Sequence, residues 1–203
     1  MTLFGVLKFE EEAENLRLII GSEIIEIHHI GSTSVPGLSA KPIIDLMPVV
    51  KDICIVDEYN EKLLNRGYEP KGENGIDGRR YFTKGGINRT HHIHIYAIGN
   101  PQIQRHLAFR DYLRTHSKVA KSYGDLKVEL AAKFPNDISS YIKGKDKLGL
   151  EIDRQATEWA KVASSAALTG HDCSTHTCDE NRGIKFNGGK VLSPHRGLRN
   201  MYG

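Results

Sequence analysis

The chain has 203 residues, 39% of them hydrophobic and 26% charged, which is typical of a globular protein and excludes a largely disordered one. The net charge of +3, from 28 basic and 25 acidic residues, is too small to make a case for a general nucleic-acid binder. No apolar stretch approaches the roughly 20 residues that span a bilayer, and residues 1–12 do not resemble a signal peptide. Three cysteines, an odd number, do not suggest a disulfide framework. We therefore expect a cytoplasmic protein that does not interact with a membrane.

The first third of the sequence alternates between helical patterns and short apolar runs. Apolar residues at helical spacing between positions 9 and 20 predict an amphipathic helix. Residues 23–30 and 41–50 are rich in isoleucine and valine and predict two strands. A second helical stripe over residues 53–64 ends at Gly67. The predicted order is helix, strand, loop, strand, helix.

The rest of the main domain changes from strands to helices. Residues 68–71, 80–84 and 90–98 predict short strands joined by glycine-rich turns, a hairpin pattern that favours an antiparallel or mixed sheet. Asn100 before Pro101 is a typical helix start, with an N-cap residue followed by proline at the first helical position. We therefore predict an α+β fold. Its C-terminal helical stripes cover residues 101–116, 119–130 and 148–159.

The apolar periodicity stops near Lys161. Residues 1–161 are predicted to form one domain, and residues 162–203 a flexible, solvated tail of serine, threonine, glycine, histidine and cysteine. The tail contains residue types that can bind zinc, but their spacing lacks a Cys-x-x-Cys pair, so a solvated tail is the expectation. These residues are His171, Cys173, His176 and Cys178.

The turn between the first two predicted strands has the composition of an anion-binding loop. Gly31 lets the backbone pass close to a ligand, and the hydroxyl residues Ser32, Thr33 and Ser34 follow, so that successive N–H groups there can cradle a phosphate. Asp45 lies inside the second predicted strand and can hold Mg²⁺ against such phosphates. The same residues also fit an ordinary strand, polar turn and strand, and their spacing leaves both interpretations open.

The sequence contains HIGSTSVPGL, AKPIIDLM, RTHHIHIY and FRDYLR, in that order, and through them it resembles the GrpB-like family. The resemblance covers residues 5 to 161. It implies a fold similar to that of the nucleotidyltransferase superfamily, with a mixed sheet in the N-terminal half and packed helices. It also implies a transferase-type enzyme that binds a nucleoside triphosphate and a divalent metal, Mg²⁺ in the first place and Mn²⁺ or Zn²⁺ as alternatives.

The sequence departs from that superfamily at the acidic positions. Superfamily enzymes usually carry a second carboxylate two residues after the first, so that both point from one strand face at paired metal ions. Here that position is Met47, and a thioether does not hold Mg²⁺. A third acid is expected on a downstream strand, but residues 90–98 contain none. This departure puts two-metal nucleotidyl transfer in doubt.

Histidines stand on the downstream strand instead. By strand alternation His92 and His94 share one face with Tyr96. Two imidazoles on one face can chelate a divalent metal together with Asp45, and His29 at the end of the first strand can complete the site. Either His92 or His94 can alternatively serve as a general base. The ordinary structural alternative is that both rings hydrogen-bond to neighbours in a half-buried sheet.

Cations near these motifs can balance the charge of a phosphate. Lys41 lies in the AKPIID stretch and Arg110 in FRDYLR, so the resemblance raises both above the solvated-surface interpretation that is otherwise expected for each cation. Asp111 is interpreted as a structural partner of a nearby cation. Further candidates are Arg79, Arg80, Arg89 and Arg114, together with the family-matching polar residues Lys127, Tyr141 and Lys145.

Two functions from different classes follow. In the first, the protein is a nucleotidyltransferase-type enzyme: Gly31 to Ser34 bind the triphosphate, Asp45 with His92 or His94 holds the metal and acts catalytically, and Lys41 and Arg110 balance developing charge. In the second, it is a non-catalytic nucleotide- or cofactor-binding module that has lost the paired acids. In both, the partner is a small nucleotide or another phosphorylated molecule.

Overall fold

The computed structural model describes residues 3–39 and 41–168 and has a mixed sheet with helices on both faces. The strands are β1 Ile24–Ile30, β2 Ile44–Val50, β3 Tyr68–Pro70, β4 Arg79–Lys84 and β5 His91–Ala97. The helices are α1 Leu3–Ile20, α2 Asn60–Leu64, α3 Pro101–Thr115, α4 Ser117–Lys133 and α5 Ile138–Leu168.

The sheet has the strand order β1, β2, β5, β4, β3. Only β2 and β5 run parallel to each other; the other neighbouring pairs are antiparallel. Because β2 and β5 are neighbours, residues that are far apart in sequence come side by side, and Asp45 pairs with His92. On the other side of β2, Asp45 pairs with Ile30. The mixed sheet predicted from the sequence is confirmed.

The two faces of the sheet are covered by different helices. One face packs against α1, in a core that includes Leu16, Leu46 and Ile93. The opposite face carries Met47 and Tyr96, which pack with residues of α3. This alternation follows from the pleat of the strands, in which neighbouring residues point to opposite faces. Asp45, two residues before Met47, therefore faces the α3 side.

Helices α3, α4 and α5 pack together beside that second face. The side chain of Asn100 accepts a hydrogen bond from the backbone N–H of Gln102 at 2.9 Å, which caps α3 as the sequence predicts. His116 separates α3 from α4. Tyr112, Tyr123 and Ile152 belong to the core that the three helices share. The predicted α+β fold, with helices following the strands, is confirmed.

Helix α5 continues past the predicted domain boundary, since it extends to Leu168 rather than ending near Lys161. The remainder of the predicted tail, with its cysteines and histidines, lies outside the described residues. None of the helices within residues 3–168 is both long and apolar enough to cross a bilayer.

Candidate functional site

The α3 face of the sheet brings together one carboxylate and two imidazoles. Asp45 comes from the middle of the sheet, and His92 and His94 come from the parallel neighbour β5. All three are buried, and one ligand atom from each lies within 4.8 Å of the others. Oδ1 of Asp45 is 3.1 Å from Nδ1 of His92 and 3.7 Å from Nε2 of His94. The structure thus brings together the predicted Asp45, His92 and His94.

Asp45 is held as a carboxylate in this cluster. Burial raises its pKa, but hydrogen bonds from His92 and His94 outweigh burial and hold the pKa below the ordinary aspartate value. Burial lowers the pKa of His94, although Asp45 opposes that shift. The cluster therefore combines one negative charge with two ring nitrogens whose protons point at it.

A buried guanidinium lies behind His94. Arg79 is 0% exposed, and its Nη1 lies 3.4 Å from Nδ1 of His94. Arginine can only donate, so Nδ1 of His94 accepts and the ring proton stands on Nε2, facing Asp45. Arg79 also donates to the backbone carbonyls of Glu73 and Asn74, at 3.1 and 2.9 Å. It fixes both the loop before β4 and the orientation of His94.

The distances in this cluster fit a divalent metal. Two ligands of one tetrahedral ion with bonds near 2.1 Å are about 3.4 Å apart, and the separations from Asp45 to His92 and His94 bracket that value. Nε2 of His92 is buried without a hydrogen-bond partner among the described residues, so the ring is not locked by a second contact. A metal on Nε2 of His94 would compete with Arg79 for the single lone pair of the neutral ring.

Gly31 is needed for the approach of its backbone to Asp45. Its φ of 68° lies in the left-handed region, and a Cβ built there would meet the side chain of Asp45, 2.8 Å from Cγ. Sequence reasoning assigned this glycine to a close approach between backbone and ligand. The structure shows that the group approached is the carboxylate of Asp45.

Two buried lysines come from the C-terminal helices, and one of them contacts the same turn. Lys127 of α4 is 5% exposed and donates to Oγ of Ser32 at 2.7 Å. Lys145 of α5 is 4% exposed. Burial lowers the pKa of each lysine to about 8; Lys145 adds to the shift of Lys127, and Asp45 opposes both shifts. The two ammonium groups are therefore close enough to influence each other in a poorly solvated environment.

The other two hydroxyls of the turn are used within the protein. Oγ1 of Thr33 lies 3.0 Å from Nε2 of His29 and 3.5 Å from the carbonyl oxygen of Ile43. The hydroxyl of Ser34 donates to the carbonyl of Gly31 at 2.6 Å. The prediction that both hydroxyls face a phosphate is therefore not supported by their contacts. Ser32 is the hydroxyl that joins the lysine pair.

The predicted cations have different partners. Arg110 donates to both carboxylate oxygens of Asp111, at 2.7 and 2.9 Å, and to the carbonyl of His29 at 3.2 Å. Its assignment as a phosphate ligand stays a prediction, and in this structure its guanidinium holds the end of β1. Lys41 is exposed, and its Nζ lies 5.2 Å from the centre of the Tyr141 ring. Arg114 donates twice to the carbonyl of Ser34, at 3.0 and 2.9 Å.

His29 does not join the cluster around Asp45. It pairs with Leu46, one residue along from Asp45, so strand alternation places it on the α1 face. Its ring stacks on Phe9 of α1, with centroids 4.8 Å apart. Its assignment as a fourth metal ligand is therefore corrected: the three other predicted ligands converge on one face, and His29 is on the opposite one.

A narrow pocket opens beside the cluster. Its cavity volume is about 20 Å³, room for one water molecule or one small ion. Gly31, Ser32, Asp45 and His94 line it on the sheet side. The helices contribute Arg105, His106, Phe109, Tyr123 and Asp153, with Nε of Arg105 bound to Oδ2 of Asp153 at 2.7 Å.

Sequence reasoning missed three parts of this site. Lys127 and Lys145 were noted only as polar positions that match the family pattern, although a lysine within an apolar helical stripe is a signal of burial. Arg79 was one cation among several. Its role depends on Asn74 and His94, and no local pattern connects those residues.

Fold and site together define an α+β protein with a buried acid and imidazole cluster beside a lysine-lined turn. The family model described as GrpB protein matches residues 6–155. The chain belongs to the GrpB family, as the sequence motifs indicate.

Known relatives agree with this assignment. UPF0157 protein YqkA of Bacillus subtilis is 54% identical over 158 residues, which are 78% of this chain and 46% of YqkA. The chain thus spans about half the length of that curated relative. The crystal structure of conserved protein GrpB from Enterococcus faecalis superposes with a TM-score of 0.76 at 46% identity, covering 78% of this chain and 96% of that one. Cid1, described as an RNA terminal uridylyl transferase, covers 71% of this chain and 46% of its own, with a TM-score of 0.43 and 18% identity.

Proposed function

We propose that this protein is a metal-dependent enzyme that transfers a nucleotidyl or phosphoryl group from a nucleoside triphosphate. The observation that carries the proposal is the convergence of Asp45, His92 and His94 on one sheet face, at the edge of a pocket that Gly31 and Ser32 also line. A carboxylate and two imidazoles can hold one divalent ion beside a glycine and serine turn that can bind phosphate, which supports transfer with a single metal rather than with the usual pair.

The residues of the cluster suit a nitrogen-binding metal. Asp45 and His92 would hold the ion, and His94 would join them once Arg79 releases its ring. Two imidazole nitrogens and one carboxylate favour Mn²⁺ or Zn²⁺ over Mg²⁺, which prefers oxygen ligands. When bound, a divalent ion would neutralise charge on phosphate oxygens. Asp45 is ready for this role, since its lowered pKa keeps it ionised at neutral pH.

Ser32 and the backbone of Gly31 would orient the phosphate chain. The Ser32 hydroxyl is already held by Lys127, so its direction is set before a ligand arrives. In the present conformation the pocket holds about one water molecule, so helices α3 and α5, joined there by Arg105 and Asp153, have to move apart to admit a nucleotide.

The experiment is a transfer assay with purified protein. Labelled nucleoside triphosphates are incubated with Mg²⁺, Mn²⁺ or Zn²⁺ and a cell extract as the source of acceptors, and label transfer and pyrophosphate release are both followed. We expect metal-dependent transfer with the wild-type chain and none with Asp45→Asn. Glu12→Gln, which changes a buried carboxylate on the opposite face, is the matched control and should retain transfer.

Failure of transfer with every nucleotide and every metal would remove the enzymatic proposal. Equal activity of Asp45→Asn and Glu12→Gln would show that any transfer observed does not depend on this cluster.

A non-catalytic nucleotide- or cofactor-binding module is the second candidate. Met47, at the position of the expected second acid, is 0% exposed and packs in the apolar core with Ile30 and Tyr96. Only one carboxylate thus faces the pocket from β2. Calorimetry with nucleotides separates the two functions: binding without turnover across all metals favours the module.

A further inference from the structure

The two buried lysines are the least satisfied charged groups of the site. Lys127 has one hydrogen bond, to Ser32. In the part of the chain that the structure describes, the ammonium of Lys145 forms no hydrogen bond or ion pair, and its Nζ lies 5.4 Å from the centroid of the Tyr141 ring. Each lysine is at most 5% exposed. A charge that is so poorly solvated and so poorly paired is costly, so an anion that bound the two ammonium groups would be stabilised there.

A third lysine is tied to the same pair. Nζ of Lys41 lies 5.2 Å from the centroid of the Tyr141 ring that Lys145 also contacts. Lys41 comes from the loop before β2, and Lys145 comes from α5, so the Tyr141 ring brings together ammonium groups from two segments that are distant in sequence. Lys127 of α4, which contacts Ser32, is coupled electrostatically to Lys145.

Neighbouring charges do not cancel this excess. Arg110 is bound by Asp111, and Arg105 by Asp153. The three lysines outnumber the two carboxylates that act on them, Asp45 and Asp146, so positive charge is left in excess. A phosphate monoester is close to a dianion at neutral pH, so it carries the sign of charge that this excess attracts. A triphosphate carries more negative charge, and the divalent ion of the proposed centre would supply the difference.

We infer that Lys127 and Lys145, with the hydroxyl of Ser32, form a binding site for a phosphoryl dianion, with Lys41 at its outer edge. The ammonium groups and the hydroxyl offer donors for the terminal oxygens of one phosphoryl group. This site deepens the proposed function, on which it depends for the metal but not for binding the anion itself. Unlike the proposed transfer, it requires neither Asp45 chemistry nor turnover.

The test is calorimetric titration of the whole chain with inorganic phosphate, pyrophosphate and tripolyphosphate in the presence of EDTA. The site variants are Lys127→Met and Lys145→Met, which keep the length of the side chain and remove the charge. Lys143→Met is the matched control, because Lys143 is exposed on the same helix only two residues from Lys145. We expect each site variant to lose at least about tenfold in anion affinity and the control to keep it.

A second readout separates binding from structural support. Because methionine removes a poorly compensated buried charge, the ligand-free Lys145→Met variant should unfold at a higher temperature than wild type while binding the anion more weakly. A purely structural lysine would give the opposite change in unfolding temperature. Anion affinity of Lys145→Met equal to that of Lys143→Met, or no binding of any of the three anions by wild type, would overturn the inference.

The two proposals fail separately in this design. Anion binding in EDTA without any metal-dependent transfer would remove the enzyme and leave the lysine site supported. Transfer that persists in Lys145→Met with unchanged affinity would remove the lysine site and leave the enzyme supported.

Discussion

The two faces of the sheet each bury a carboxylate beside a histidine, but they satisfy it differently. On the α1 face both oxygens of Glu12 accept from Nζ of Lys84, at 2.8 and 3.0 Å, and His91 stands 4.0 Å away. On the α3 face Asp45 is contacted by His92 instead of by an ammonium group. A lysine therefore neutralises Glu12 in the first cluster, whereas in the second cluster the carboxylate of Asp45 stays at the edge of a pocket.

This difference separates a structural polar cluster from the candidate site, which is made of the same residue types. Lys84 forms an ion pair with the buried acid Glu12. By contrast, Lys127 and Lys145 lie near Asp45 without forming an ion pair with it. His91 and His92 are neighbours in sequence and serve opposite faces. The presence of acids, lysines and histidines in a core is thus not enough to mark a site; what marks it is charge left without a partner.

The largest expected effect is on the α1 face, where Lys84 pairs with Glu12. Lys84→Met leaves the buried carboxylate of Glu12 without its ion-pair partner, so we expect the free energy of unfolding to fall by about 3 kcal/mol, measured by urea denaturation. Lys71→Met removes a lysine from an exposed pair with Glu69 and should change the free energy of unfolding by less than about 1 kcal/mol. Equal losses in the two variants would mean that the Glu12 cluster does not act as a buried pair.

On the α3 face, which carries Asp45, the expected effect is on ligand affinity. Asp45→Asn removes the charge that would hold the proposed metal, so affinity for Mn²⁺ or Zn²⁺ should fall at least about 100-fold, or about 2.7 kcal/mol, by calorimetry. Glu12→Gln should leave metal affinity unchanged, although it lowers stability. If Glu12→Gln weakens metal binding as much as Asp45→Asn does, the conclusion that only the α3 face binds metal is wrong.

Two glycines with positive φ allow the effect of backbone strain to be distinguished from the effect of a clash with Asp45. Gly31→Ala and Gly37→Ala both place a Cβ at positive φ, and each should cost about 1–2 kcal/mol of stability. Only at Gly31 would the new Cβ strike Asp45; nothing lies within 4 Å at Gly37. Metal affinity should therefore fall in Gly31→Ala alone, and an equal fall in both variants would assign it to backbone strain.

The smallest effect per pH unit is on the pH dependence of stability, and it tests the placement of His29. Burial lowers the pKa of His29 to about 4, below the 6.5 of an unfolded histidine. The stability that neutral His29 contributes is complete above pH 6.5 and is lost as the pH falls from 6.5 to 4. In that range the unfolded chain binds a proton at this histidine and the folded chain does not. His29→Asn should make this loss shallower by up to about 1.4 kcal/mol per pH unit. A slope identical to wild type would show that His29 is solvated.

Several features of the fold were predictable from local pattern. Alternating apolar runs gave the strands, helical stripes gave α1 and α4, and Asn100 with Pro101 gave the start of α3 at the observed residue. Strand alternation also placed His92 and His94 on one face correctly. Helix α5 was predicted too short, because the residues after Lys161 continue it without an apolar stripe of their own.

The site was predicted in part for the same reason. Asp45, Gly31 and the histidine pair belong to dense local motifs. The hydroxyls of Thr33 and Ser34 looked equivalent to that of Ser32 in sequence, but hydrogen bonds to neighbouring groups occupy them. Arg110 looked like a phosphate ligand; its pairing with the adjacent Asp111 is local, but its contact with the His29 carbonyl exists only once α3 packs on β1.

By itself the sequence determined which residues alternate along a strand, where the chain turns, and which family the motifs indicate, because these depend on neighbours a few positions apart. Tertiary structure alone decided that His29 faces away from Asp45, that Arg79 stands behind His94, and that Lys127 donates to Ser32. Those relations arise from the parallel pairing of β2 with β5 and from the packing of α4 and α5 against the turn. Physically, burial and electrostatic pairing depend on distance in space, and distance along the chain does not encode it.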